Sequence, residues 1–224
     1  MFRILSLKII TSIKTLLIDD CCHFSGTMAS KRLDYDGPVE KTEDFSLQIV
    51  NGHYQLRCSH PINLRDVHCL LATEKTCKLH QGRPTMLSCR LMTKRVQFFP
   101  NGSIQILGGR MTRAVFYHLY VKIHHLLKTL NSAIHLTRWT TNNIVVHFSL
   151  KNCLKFDNVS CNKDLTYEPE LFPALLVTKW PPVHVTLFPN GKGMITGIKR
   201  RQEAQAILQN LLLFLTDYVY LCRL

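Results

Sequence analysis

The chain has 224 residues, 46% of them hydrophobic, and carries 28 Lys and Arg against 15 Asp and Glu, a formal net charge of +13 with a pI near 9.5. That length and apolar content can bury a substantial core, as one large domain or two joined halves, and they exclude a disordered chain. The positive balance favours a polyanionic partner, nucleic acid or an acidic membrane surface, and a solvated basic surface carries the same signature.

Residues 1–18 hold no acid and mix Ile and Leu with Arg3, Lys8 and Lys14. A transit peptide, an amphipathic helix and a weak signal sequence all share that pattern. The cations interrupt the apolar run before it is long enough to cross a bilayer, so we expect an accessory extension here, with Met28 as a possible internal start and residues 29–43 as a polar lead-in. The nine cysteines are scattered without a Cys-x-x-Cys pair or a repeated ligand spacing, which reads as reduced thiols serving as small core hydrophobes and argues against a zinc site. The sequons at Asn101 and Asn158 then read as chance matches.

Further along, Val96 and Phe98 alternate with Arg95, Gln97 and Phe99, and after Pro100-Asn101-Gly102 the residues Ile104 and Ile106 alternate with Gln105 and Leu107. This predicts a hairpin with one face on a core. Behind Arg110 and Arg113, the residues Val115, Leu119, Ile123, Leu126 and Leu127 recur at helical spacing. His118, His124 and His125 lie in the same helix, but that spacing does not bring all three to one face, so no metal site follows. The C-terminal third repeats the sequence of elements. Val183, Val185 and Leu187 alternate with His184, Thr186 and Phe188, then come Pro189-Asn190-Gly191, a strand through Met194 and Thr196, and a helix with Ala204, Ile207, Leu208, Leu211, Leu212 and Leu215 behind Lys199-Arg200-Arg201.

The repeat is literal at its turns. Phe99-Pro100-Asn101-Gly102 returns as Phe188-Pro189-Asn190-Gly191, and Gly108 returns as Gly197, at one constant offset of 89 residues. One structural unit built twice gives a pseudo-twofold object. Phe99 and Phe188 fall on the non-core side of both hairpins, and matched exposed aromatics suggest a working surface rather than ragged strand ends. No Ser-His-Asp, paired-carboxylate or phosphate-loop constellation stands out, so the sequence reads as a binding protein and not an enzyme, with no cofactor and no metal.

The stretch Tyr167-Glu168-Pro169-Glu170-Leu171-Phe172-Pro173, followed by a strand, the Phe188 hairpin and Thr196-Gly197-Ile198-Lys199, resembles the C-terminal repeat of the TATA-box-binding protein family core. The resemblance resumes at Asn142-Asn143-Ile144-Val145 and, in a degenerate first repeat, at Leu47-Gln48-Ile49-Val50. It implies an α+β saddle of two pseudo-symmetric repeats, a curved antiparallel sheet with helices on its convex face. The extension would then occupy residues 1–44, repeat one 45–135 and repeat two 136–224.

It also implies the minor groove of A·T-rich promoter DNA as the ligand of the concave face. Phe172 and Phe188 match one pair of wedges that open base steps, and Phe99 matches half of the other, with Gly82, Arg83 and Pro84 where its partner would stand. Val50, Leu107, Val145 and Met194 would fill the groove, Thr196 would supply a hydroxyl, and Gln48 and Asn143 would be the central amides. Arg110, Lys192 and Lys199 match phosphate-facing positions. Glu168, Glu170 and Leu171 match the stirrup loop through which the family recruits transcription factor IIB and so RNA polymerase. The first stirrup, around His80 to Pro84, does not match, so contact with transcription factor IIA is not implied. Arg95, Gln97 and Gln105 stand where the family is mostly apolar, which implies unequal engagement of DNA by the two halves. The location implied is nuclear, the host's nucleus for a virus-encoded homologue. An interaction protein that captures transcription factor IIB without bending DNA fits the same residues, as does a basic nucleic-acid binder blind to A·T content.

Overall fold

The computed structural model describes residues 40–42, 44–71, 76–156, 159, 162–216 and 220–222, all within a unit spanning Tyr35–Leu224. The expectations for residues 1–18 and 29–39 lie outside the described residues. The elements, in chain order, are β1 (Glu40–Lys41), β2 (Phe45–Cys58), α1 (Leu64–Leu70), β3 (Lys78–His80), β4 (Met86–Leu91), β5 (Lys94–Phe98), β6 (Ser103–Leu107) and α2 (Arg113–Leu130). They continue with β7 (Leu136–Leu150), β8 (Cys153–Lys155), β9 (Leu165–Glu168), β10 (Phe172–Val177), β11 (His184–Leu187), β12 (Lys192–Ile198), α3 (Arg201–Leu215) and β13 (Tyr220–Cys222).

Among the described residues, one antiparallel sheet of eleven strands runs β3-β4-β5-β6-β2-β7-β12-β11-β10-β9, with β1 against β2; β13 pairs separately with β8. The order reads the same from either edge once β2 is exchanged for β7, β6 for β12, β5 for β11 and β4 for β10. A twofold therefore relates the halves. It passes near the pair Gly52 and Ile144, because Asn51 lies opposite Val145 while His53 lies opposite Asn143.

Period-two patterning builds the strands of the two repeated hairpins as expected. Val96, Phe98, Ile104 and Ile106 are fully buried, as are Leu187 and Ile195 with Val185 nearly so, while Arg95, Gln97, Gln105, Thr186 and Met194 stay partly or wholly accessible on the other face. β2 and β7 are long enough to serve both halves: Phe45, Leu47 and Ile49 join Ile144, Val146 and Phe148 in the core of the second repeat. α3 covers that core with Ala204, Leu208, Leu211 and Leu215. α2 covers the other through Phe116, Leu119, Ile123 and Leu127, with the Phe116 ring edge-on to Trp139 at 4.3 Å and Trp139 stacked on Tyr54 at 5.6 Å. Phe116 takes the buried place that the helical spacing gave to Val115, which is half-buried like Leu126. The short α1, capped by Asn63, whose side chain accepts from the Arg65 amide, has too few residues to leave a periodic signal in the sequence.

The two repeated turns are the same object atom for atom. Phe99 and Phe188 each donate their amide across the turn, to Ser103 and Lys192 carbonyls at 2.9 and 2.8 Å. The Asn101 and Asn190 side chains accept from the Ser103 and Lys192 amides at 3.0 and 3.1 Å. Gly102 and Gly191 sit at φ +78° and +77°, and a Cβ there would lie 2.6 Å from the His60 carbonyl oxygen and 2.5 Å from that of Asn152. Only glycine fits both the dihedral and the space.

Candidate nucleic-acid interface

All buried helix side chains point to the core face of the sheet, which leaves the opposite face free of helices among the described residues. Every expected groove or phosphate residue maps to this face or its borders, but the two halves differ in chemistry. Across the second half the direct neighbours run Leu176, Thr186, Met194, His147 and Gln48, a mixed row in which Leu176 and Met194 are apolar. Across the first half the corresponding row runs Ser88, Gln97, Gln105, Gln55 and Thr140. Gln55 is tied into it, donating to the Ser103 hydroxyl at 2.7 Å and accepting from the Asn142 amide at 3.3 Å.

Phe172 opens β10 and Phe188 follows β11, so their rings meet at one end of the face, 6.0 Å apart and inclined by 64°. Phe172 is 44% exposed and Phe188 half-buried. Two adjacent, partly exposed phenyl rings cost hydration free energy that a core position would not. Phe99 holds the equivalent place after β5 and is half-buried. Leu87 pairs with Phe98 as Leu175 pairs with Leu187, which brings Pro84, in the turn before β4, to the position of Phe172. No second phenyl ring faces Phe99 there.

The twofold pairs the amides in a different register from the one read in the sequence. The Asn143 side chain accepts from the Gly197 amide at 2.9 Å, and the Asn51 side chain accepts from the Gly109 amide at 2.9 Å. The twofold thus matches Asn51, and not Gln48, to Asn143, and it matches His53, and not Val50, to Val145. A register irregularity between Ile49 and Asn51 leaves Val50 without a cross-strand partner and moves the frame. A bulge of this kind has no sequence signature, which is why reading from Leu47-Gln48-Ile49-Val50 placed the amide too early. Gln48 instead lies opposite His147. His53 presents an imidazole where Val145 presents methyls, and its Nε2 is buried with no hydrogen-bond partner.

Leu107 lies opposite both His53 and Arg95, and Thr196 opposite His184. Lys192, Lys199 and Arg110 are exposed at the ends of β12 and before α2. The Lys199 amide donates to the Glu203 carboxylate at 2.9 Å, which ties the chain entering α3 to its first turn. Lys94 is one cation the charge pattern did not single out. It is 3% exposed, and its Nζ donates to the carbonyls of Gly108 and Arg110, so it fixes the backbone just past β6. At the far end of β9 the turn Glu168–Leu171 closes with a 2.9 Å bond from the Leu171 amide to the Glu168 carbonyl. Glu168 and Glu170 are exposed, and Leu171 is 81% exposed.

Burial pushes the Cys58 thiol up to about 11, so it stays protonated at neutral pH. Cys58, Cys69, Cys77, Cys89 and Cys153 are free thiols. Among the described residues no group of three or more His, Cys, Asp or Glu is placed to hold a metal, and no helix is long and apolar enough to cross a membrane.

A two-repeat antiparallel saddle, with helices on one side and a helix-free face bearing a phenylalanine pair, defines the class of this protein. Residues 138–218 match the family described as transcription factor TFIID, or TATA-binding protein. Over 79 residues the chain is 34% identical to TATA-box-binding protein 1 of Triticum aestivum, a match covering 34% of this chain and 34% of the wheat protein. The chain thus spans about a third of that curated relative. The structure of Methanococcus jannaschii TBP superposes with a TM-score of 0.61 at 25% identity, covering 74% of this chain and 95% of the archaeal one. Residues 138–218 thus carry a TATA-binding-protein family domain.

Proposed function

We propose that this protein is a TATA-binding-protein-like initiation factor, nuclear in location, that binds A·T-rich promoter DNA in the minor groove through its helix-free face and bends it. The observation that carries this reading is the exposed Phe172–Phe188 pair at the end of that face, where flat apolar side chains can replace base stacking at an opened step. Val145, Met194 and Thr196 supply groove contacts on the same half, and Leu107 and Phe99 on the other. Asn143 and Asn51 are the central amides, with Gln48 and Val50 beside them. Arg110, Lys192 and Lys199 supply phosphate contacts. Glu168, Glu170 and Leu171 form a partner-facing loop whose combination of charge and bare leucine suits transcription factor IIB, and through it RNA polymerase.

Phosphate contacts give affinity without sequence information, whereas the groove gives selection. Binding to A·T-rich and G·C-rich duplexes at two salt concentrations separates the two contributions. The proposal expects both affinities to fall with salt while the A·T preference persists. Equal affinities at moderate salt contradict it. The polar first half supports one competing reading, capture of transcription factor IIB without bending, and that reading expects recruitment to persist with no change in the shape of the DNA.

A further inference from the structure

On the first half of the helix-free face, Arg90 lies directly opposite Arg95 across β4 and β5, and Arg57 directly opposite Arg138 across β2 and β7. All four are exposed, and none has a carboxylate partner among the described residues. Like charges directly opposite destabilise a sheet, so two such pairs on one face have no structural benefit and call for a polyanion. They also flank the amide row on opposite sides. They are separated by four residues along the strands, about 13 Å, and by three strand spacings across them, about 14 Å, a span wide enough for the roughly 6 Å minor groove of undeformed B-DNA together with the phosphates at its edges.

The same half lacks what opening the groove requires. Pro84 stands where Phe172 stands in the other repeat, Phe99 has no second ring, and the row Ser88, Gln97, Gln105, Gln55 and Thr140 holds no apolar side chain where the other half presents Leu176 and Met194 to a dry, widened groove. Resting on the reading that this face takes duplex DNA, we infer that the first repeat grips the phosphates of an unopened duplex through Arg57, Arg90, Arg95 and Arg138. The DNA is therefore kinked at one end only, the end against Phe172 and Phe188. A saddle with one wedge and one clamp also distinguishes the two directions of its site.

The test uses the full chain and A·T-rich duplexes carrying 2-aminopurine at each end step of the site, whose fluorescence rises on unstacking. Phe188→Ala is expected to remove the rise at every labelled step, and Phe99→Ala to remove none, whichever way the protein sits. Arg57→Gln with Arg95→Gln is expected to lower affinity equally for all sequences and reduce the salt slope by about 1 per arginine, with the kink intact. If Phe99→Ala removes part of the signal and Phe188→Ala leaves part, the duplex is opened at both ends and the inference is overturned while the proposed function stands. No rise at any step with the wild-type protein overturns both. Melting temperatures within a few degrees of wild type show that each variant is folded.

Discussion

Leu187 and Phe188 are neighbours with opposite fates, and replacing each with alanine separates core from surface. Leu187 is fully buried within the second-repeat core. Its truncation removes three methylene-sized groups' worth of packing and leaves a cavity, at a cost of about 2–5 kcal/mol, or a fall in melting temperature of roughly 4–20 °C for a domain of this size. Phe188 is half-buried, with its ring centroid 6.0 Å from that of Phe172. Losing that pair costs the folded state about 0.5–1.5 kcal/mol. In complex with DNA the same change forfeits a stacking contact worth about 1–3 kcal/mol, a roughly 5- to 150-fold loss of affinity. Thermal melts and duplex titrations on both variants should show opposite patterns: Leu187→Ala unstable but binding normally when folded, Phe188→Ala stable but binding weakly. A Phe188→Ala variant as unstable as Leu187→Ala would mean that its ring is core, and the wedge argument would fail.

Reversing charge in the exposed turn, Glu170→Arg should preserve DNA binding and abolish the ternary complex with transcription factor IIB, since repulsion is added as attraction is lost; a gel-shift with that factor at wild-type affinity would refute the assignment. Asn51→Ala and Asn143→Ala should each cost about 1 kcal/mol of stability through the lost bond to Gly109 or Gly197, and Gln48→Ala less than half of that. Denaturant melts that rank Gln48 with Asn143 would reinstate the earlier register. Because the Cys58 thiol is raised from 9.0 to about 11, the folded state retains a proton that the unfolded state loses. Its contribution is complete below pH 9 and lost as pH rises toward 11, by about 2–3 kcal/mol at most. Cys58→Val should flatten that alkaline decline in stability.

How much of this was legible beforehand depended on whether local patterning or long-range pairing set the feature. The hairpins were legible because Val96, Phe98, Ile104 and Ile106 alternate strictly, and the turns because Asn101-Gly102 and Asn190-Gly191 demand one geometry. The helices were legible from apolar spacing, with an error of one residue at Phe116. Alternation put Phe99 and Phe188 on the non-core face, whereas the acidic loop and Phe172 came from resemblance, which is strongest in the repeat that the family match also covers. What escaped was set by pairing across distant segments. The irregularity at Val50 made Asn51 the structural counterpart of Asn143, and the Arg57–Arg138 pair joins residues that only the β2–β7 ladder brings together. Lys94 escaped because a lysine held by two carbonyls looks, in sequence, like any surface cation.

The central claim is that the helix-free face bends A·T-rich duplex, and energy transfer between dyes at the two ends of a short duplex tests it most directly. The account predicts that adding protein shortens the end-to-end distance of an A·T-rich duplex, leaves a G·C-rich one nearly straight at the same concentration, and loses the effect with Phe188→Ala. An A·T-rich duplex that is demonstrably bound yet keeps its free end-to-end distance would contradict it.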